Sequence, residues 1–150
     1  MKLWKKIGLG LLAALLIIQF FRPERNLGAT TLPNDITQVA NVPPDVQAIL
    51  KRSCYDCHSN RTNYPWYMEV QPVAWYLAHH IEEGKGELNF NEFGTYKPKK
   101  QLHKLQEIAK ELEKGDMPLT SYTLIHRETN LSDAERTLVI NWADSMAAKY

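Results

Sequence analysis

The sequence predicts a small all-α domain behind an N-terminal apolar segment. Three observations lead there. Beyond residue 42, apolar side chains recur at helical spacing in four separate segments. Prolines, glycines and a polar cap bound those segments. Strand-like alternation is confined to short pieces such as residues 87–90.

The N-terminal segment comes first. Lys2, Lys5 and Lys6 precede an uncharged apolar run over residues 7–21, closed by Arg22, Pro23, Glu24 and Arg25. As a helix the run reaches about 22 Å, against a hydrocarbon core of about 30 Å. Counted from Leu3, with Lys5 and Lys6 snorkelling, the reach is about 28 Å. The run suits a short membrane span or the apolar region of a signal peptide. No A-x-A cleavage site follows Phe21, which favours an uncleaved signal anchor over residues 1–25. Residues 26–42 are polar, with Gly28, Pro33 and paired threonines, and read as a linker. Residues 43–150 form the domain.

Pro43-Pro44 leads into the first domain helix, with Val46, Ile49, Leu50 and Cys54 on one face. Pro72 opens a second, carrying Val73, Tyr76, Leu77, His80 and Ile81, with Gly84 as its expected stop. Pro98 opens a third, with Leu102, Leu105, Ala109 and Leu112 on one face and Gly115 beyond its end. Ser132 and Glu135 make a capping box at the start of the last, whose buried face is read as Leu138, Val139, Trp142 and Met146.

Charge divides the chain in the same way. Residues 1–25 carry net +4 and the remainder net −3. A mildly acidic domain lacks the basic patch that nucleic-acid binding requires.

The chemistry sits at Cys54-Tyr55-Asp56-Cys57-His58, which holds both cysteines of the chain. Two cysteines two residues apart with a histidine immediately after are the signature of covalent haem attachment. The thiols would form thioethers with the haem vinyl groups, and His58 would ligate the iron from one face. A thioredoxin-like dithiol would follow a strand in a βαβ unit, which this chain lacks. A zinc site would need two further Cys or His at paired spacing. One haem c per chain is the expected cofactor. Covalent attachment needs export, so motif and anchor support each other. They place the chain in the bacterial inner membrane, single-pass, with the haem domain in the periplasm. A domain this small draws much of its core from the cofactor, so the apo chain is expected to fold poorly.

The second iron ligand is read as Met117, in Gly115-Asp116-Met117-Pro118 between the third and fourth helices. The proline stiffens the loop, and a His/Met pair raises the reduction potential. The competing reading makes Met117 a gap-filler in the core. His80, on an apolar helical face, is the main rival. His126 lies in a loop and could bond a propionate or the backbone; His79 and His103 point elsewhere. Met68 lies near the motif, and Met146 reads as core. Arg61, Tyr64, Trp66 and Tyr67 follow the motif and are candidate cofactor-binding residues. They would act as propionate donors or as packing over the haem edge.

Longer stretches carry a resemblance. Cys54-Tyr55-Asp56-Cys57-His58-Ser59-Asn60, Tyr64-Pro65-Trp66-Tyr67, Pro72-Val73-Ala74-Trp75, His80-Ile81-Glu82-Glu83-Gly84-Lys85 and Leu88-Asn89-Phe90 resemble the bacterial haem-binding domain family, a cytochrome c-like group. Met117-Pro118-Leu119, Tyr122, His126 and Leu131-Ser132 resemble its C-terminal half. The resemblance implies a single c-type haem on a small helical exported domain, with Cys54, Cys57 and His58 as haem-binding residues. The order of helix, CxxCH, loop methionine and final helix also resembles class I cytochrome c. The long stretch over residues 64–94 departs from its minimal form.

The expected function is electron transfer by a membrane-anchored periplasmic cytochrome, not an enzyme, serving a redox partner protein in the periplasm or inner membrane. The alternative is a haem-based sensor or small peroxidase with an open or His-ligated sixth position. A third reading is an anchored interaction module whose haem is structural.

Overall fold

The computed structural model describes residues 2–30 and 32–150. Among them lie eight α-helices: α1 (Leu3–Ile18), α2 (Ile36–Val39), α3 (Pro44–Ser53), α4 (Tyr55–His58), α5 (Val73–Glu87), α6 (Pro98–Lys114), α7 (Thr120–Thr123) and α8 (Asp133–Ala147). Short 3-10 turns fill Trp66–Glu69, Phe90–Thr95 and Arg127–Thr129. No strand forms among the described residues; an isolated bridge joins Leu27 and Arg61. The all-α expectation holds, and the four domain helices are α3, α5, α6 and α8.

Local chemistry accounts for their ends. Pro44 and Pro98 sit in the first turns of α3 and α6, where a missing N–H costs nothing. Gly115 follows α6 with φ +77°, the left-handed turn that L side chains resist. Ser132 and Glu135 close the capping box of α8 in both directions.

The core lies between α6 and α8, with α3 packed on α8. Leu50, Phe90, Phe93, Leu105 and Val139 are among its buried side chains, with Trp142 donating its indole N–H to the Asn41 carbonyl at 3.0 Å. Lys104 is buried as well, paired with Glu107 at 2.6 Å and Glu87 at 3.2 Å.

Several expectations need correction. Residues 26–42 do not hang as a tether. Ile36 is 0 % exposed within the core, and buried Asp35 accepts from the Tyr55 hydroxyl and from Asn91 Nδ2. Gly84 does not stop α5, which runs three residues further. Its missing side chain serves a close approach instead: a Cβ there would stand 3.0 Å from the Cys57 carbonyl oxygen. Leu138 faces solvent, and Ala143 takes its place on the buried face of α8. Residues 87–90 form the end of α5 and the start of a 3-10 turn rather than a strand piece.

α1 buries no residue. Among the described residues, no helix is long and apolar enough to cross a membrane.

Candidate functional site

A cavity of about 520 Å³ opens between α3–α4, α5, α6 and the loop after α6. Cys54, Cys57, His58 and Met117 all line it, with Leu50, Leu88, Phe90, Ile108, Leu112, Pro118 and Leu119 supplying apolar walls. Its size suits an organic cofactor.

Each donor is set by a different element. Cys54 ends α3, its N–H bonded to the Leu50 carbonyl at 2.9 Å. The chain then turns at once into α4, so Cys57 and His58 come round to the same cavity. Burial pushes the Cys54 thiol up to about 12, with the Cys57 charge as a lesser cause, and the Cys57 thiol up to about 11. Both are free, protonated thiols in apolar surroundings. A redox-active dithiol needs the opposite shift.

His58 lies with Nδ1 3.0 Å from the Leu88 carbonyl. A carbonyl only accepts, so the proton belongs on Nδ1, and Nε2 keeps its lone pair. Burial holds the ring below its ordinary range, which keeps it neutral. A backbone partner on the far nitrogen is what fixes a metal-ligating imidazole. Phe90 packs against His58 at a steep angle, ring centroids 6.0 Å apart.

Met117 arrives on the loop that Gly115 turns out of α6. Its N–H returns to the Glu111 carbonyl at 3.4 Å. From α8, one nitrogen of the Arg136 guanidinium donates to the Leu112 carbonyl at 2.8 Å and to the Met117 carbonyl at 3.1 Å. That clamp ties the loop to the last helix.

The other candidates fall out as follows. His80 also lines the cavity, with Nδ1 2.8 Å from the Tyr76 carbonyl of its own helix. Arg61, Tyr64, Trp66 and Tyr67 do not line it. Arg61 bridges to Leu27, the Tyr64 hydroxyl accepts from the Asn26 N–H, and Trp66 is 79 % exposed. Tyr67 bonds Nε2 of His126 beside a small neighbouring pocket. Arg61 and Tyr64 turn towards the segment preceding the motif, Trp66 towards solvent and Tyr67 towards His126. His79 and His103 pair with Glu83 and Glu107 on exposed helix surface. Met68 lines the small pocket, and Met146 is core.

Sequence reasoning missed the residues that hold the donors in place. The Leu88 carbonyl, the contact at Gly84 and the Arg136 clamp join segments far apart in sequence. Tyr122 belongs with them: it lines the cavity and donates its hydroxyl to Asp56 at 2.6 Å. Burial and Asp56 together push that phenol up, so it stays a donor. The charged residues lining the cavity are Asp56, Glu83, Glu87, Glu107 and Glu111, with no Lys or Arg among the described ones.

The donor set fits a haem: two thiols and a neutral imidazole at one end of an apolar cavity, and a thioether on another wall. A family model described as a haem-binding domain matches residues 13–145. The match covers most of the chain, which therefore belongs to that haem-binding family. No curated protein and no solved structure matches it.

Proposed function

We propose that this member of the haem-binding domain family is a membrane-anchored monohaem c-type cytochrome that carries electrons on the periplasmic side of a bacterial inner membrane. The observation that supports it best is the convergence of Cys54, Cys57, His58 and Met117 on one cavity. Haem, when bound, supplies an iron that passes between the ferric and ferrous states. The chain's residues do the rest. Cys54 and Cys57 would hold the haem through thioether links to its vinyl groups, for which their free thiols are available. His58 would hold the iron through Nε2, its ring oriented by the Leu88 carbonyl. Met117 would offer its sulfur from the Arg136-held loop. Electron transfer of this kind needs no side chain to act as acid or base, so the reading assigns no enzymatic role. A redox partner protein takes or delivers the electron.

The anchor in this reading is α1. Its 16 residues reach about 24 Å. A span shorter than the bilayer is accommodated by local thinning and by snorkelling of the flanking lysines.

Absorption spectra of wild-type and Met117→Ala holoprotein test the assignment. Wild type should show a low-spin haem with a far-red sulfur-to-iron band, and the variant should lose it. The denatured chain should keep its haem through acid–organic extraction, and a Cys54→Ala, Cys57→Ala double variant should not. Unchanged spectra in Met117→Ala would remove Met117 from the iron. His80 would then be the remaining candidate on the cavity wall, which favours the alternative of a haem-based sensor or small peroxidase.

A further inference from the structure

The C-terminal end of α1 is not free. Gln19 and Gln71 form a reciprocal pair, Gln19 Nε2 donating to the Gln71 carbonyl at 3.2 Å and Gln71 N–H to Gln19 Oε1 at 2.9 Å. The Phe21 carbonyl accepts from Gln71 Nε2 at 3.1 Å and from the Trp75 indole N–H at 2.7 Å. Arg22 and Arg25 both reach Glu69. Gln71 is 3 % exposed. Swinging α1 away would strip a buried amide of its partner, which is costly. Residues 19–25 and 69–75 are therefore held together.

Besides Arg22 and Arg25, the junction leaves a set of apolar side chains outside. Phe20, Phe21, Val70, Val73 and Tyr76 are all exposed. Aromatic rings beside arginines are the composition of the membrane–water interface. If α1 stands in the hydrocarbon, residues 19–25 lie at its boundary, and these hydrogen bonds bring residues 69–75 to the same depth.

We propose that the face made by Phe20, Phe21, Val70, Val73 and Tyr76 lies on the lipid headgroup boundary and fixes how the haem cavity stands over the membrane. The inference rests on the reading of α1 as an anchor. His80, on the cavity wall, lies only about 8 Å along α5 from Trp75. The cavity is thereby held close to the bilayer, within reach of a membrane-resident redox partner.

Tyr76 and Tyr150 provide an internal comparison, being 52 % and 50 % exposed. The full-length holoprotein, reconstituted into vesicles of phosphatidylethanolamine and phosphatidylglycerol, is labelled with hydroxyl radicals and read by mass spectrometry. Labelling of Val70, Val73 and Tyr76 should fall several-fold relative to Tyr150. A Gln19→Ala, Gln71→Ala, Trp75→Phe triple variant, which removes the side-chain partners of the junction's hydrogen bonds, should restore it while the protein still floats with the vesicles. If α1 is protected but Tyr76 is labelled as readily as Tyr150, the inference fails and the anchor stands. Failure to float, with α1 labelled, removes the anchor and the inference with it. Protection that follows protein concentration rather than lipid assigns the face to a second copy and overturns the proposal.

Discussion

His58 and Met117 reach one cavity from walls that are held in different ways. The wall of His58 is fixed several times over. Its imidazole is bonded to Leu88, thirty residues away; the Cys57 backbone lies against Gly84; Asp56 accepts from Tyr122 and from Asn63. The wall of Met117 is a short loop whose own backbone bonds run back to Glu111 in α6. Arg136 is what ties that loop across to α8. The wall that carries both thiols and the imidazole is held redundantly, whereas a loop side chain is only as stiff as the group that clamps it.

Removing the clamp is the most direct way to break this contrast. Arg136→Gln withdraws a charged donor from two carbonyls, and bonds of that kind contribute about 1.5–3 kcal/mol each. The loop should loosen by about 2 kcal/mol while the His58 wall is untouched. On heating, the far-red band of the variant should fade well below the temperature of global unfolding, and Arg136→Lys should recover part of the difference. Comparison with Met117→Ala separates the two ideas. A band absent in Met117→Ala but as durable in Arg136→Gln as in wild type would show that the loop needs no clamp.

The same contrast explains what could be read from the sequence. Cys54, Cys57 and His58 were legible because their chemistry is packed into five consecutive residues. Met117 was visible as a loop methionine before a proline. Helix starts at Pro44, Pro98 and Ser132 followed from local rules that act within one turn. What was illegible depends on contacts between distant segments. Arg61, Tyr64, Trp66 and Tyr67 have the right donors and lie next to the motif, yet the chain turns Arg61 and Tyr64 towards Leu27 and Asn26, Tyr67 towards His126 and Trp66 out to solvent. Sequence proximity could not reveal that turn. Residues 26–42 look like a tether by composition, yet Ile36 and Ala40 enter the core and Asp35 bonds Tyr55 and Asn91.

Gly84 shows the ambiguity within one residue type, and a pair of substitutions sharpens it. Gly84 and Gly86 both lie inside α5, where alanine is preferred to glycine by about 1 kcal/mol. Nothing stands within 4 Å of a Cβ built at Gly86. Gly86→Ala should therefore stabilise the protein by up to that amount. At Gly84 the added methyl meets the Cys57 carbonyl oxygen at 3.0 Å and the Cys57 Cβ at 3.3 Å. Overpacking of this kind costs about 1–3 kcal/mol. Gly84→Ala should destabilise by about 1 kcal/mol, measured as opposite shifts of the denaturant midpoints of the two holoproteins. Equal stabilisation by both would mean that the His58 wall yields, and that its redundancy has been overstated.

The smallest effect concerns the link between the two walls. Glu135, next to Arg136 on α8, accepts from the Ser132 N–H at 2.9 Å and from Arg52 of α3 at 2.8 Å. The Ser132 backbone bond above all, then Arg52, lowers its carboxyl from the ordinary 4.5 to about 2. A carboxylate depressed by folding contributes its full stability above about pH 4.5, and that contribution is lost as the pH falls towards 2. The pair is partly exposed, so solvent and salt keep it at about 1 kcal/mol or less. The wild-type Tm should exceed that of Glu135→Gln near neutrality, and the two should converge as the pH approaches 2. The Arg136 clamp runs to backbone carbonyls and involves no carboxylate, so the α3–α8 link weakens while the Met117 clamp persists. A gap between wild type and Glu135→Gln that stays constant down to pH 2 would mean that the carboxylate charge contributes nothing to the cap, and that α3 is held to α8 by packing alone.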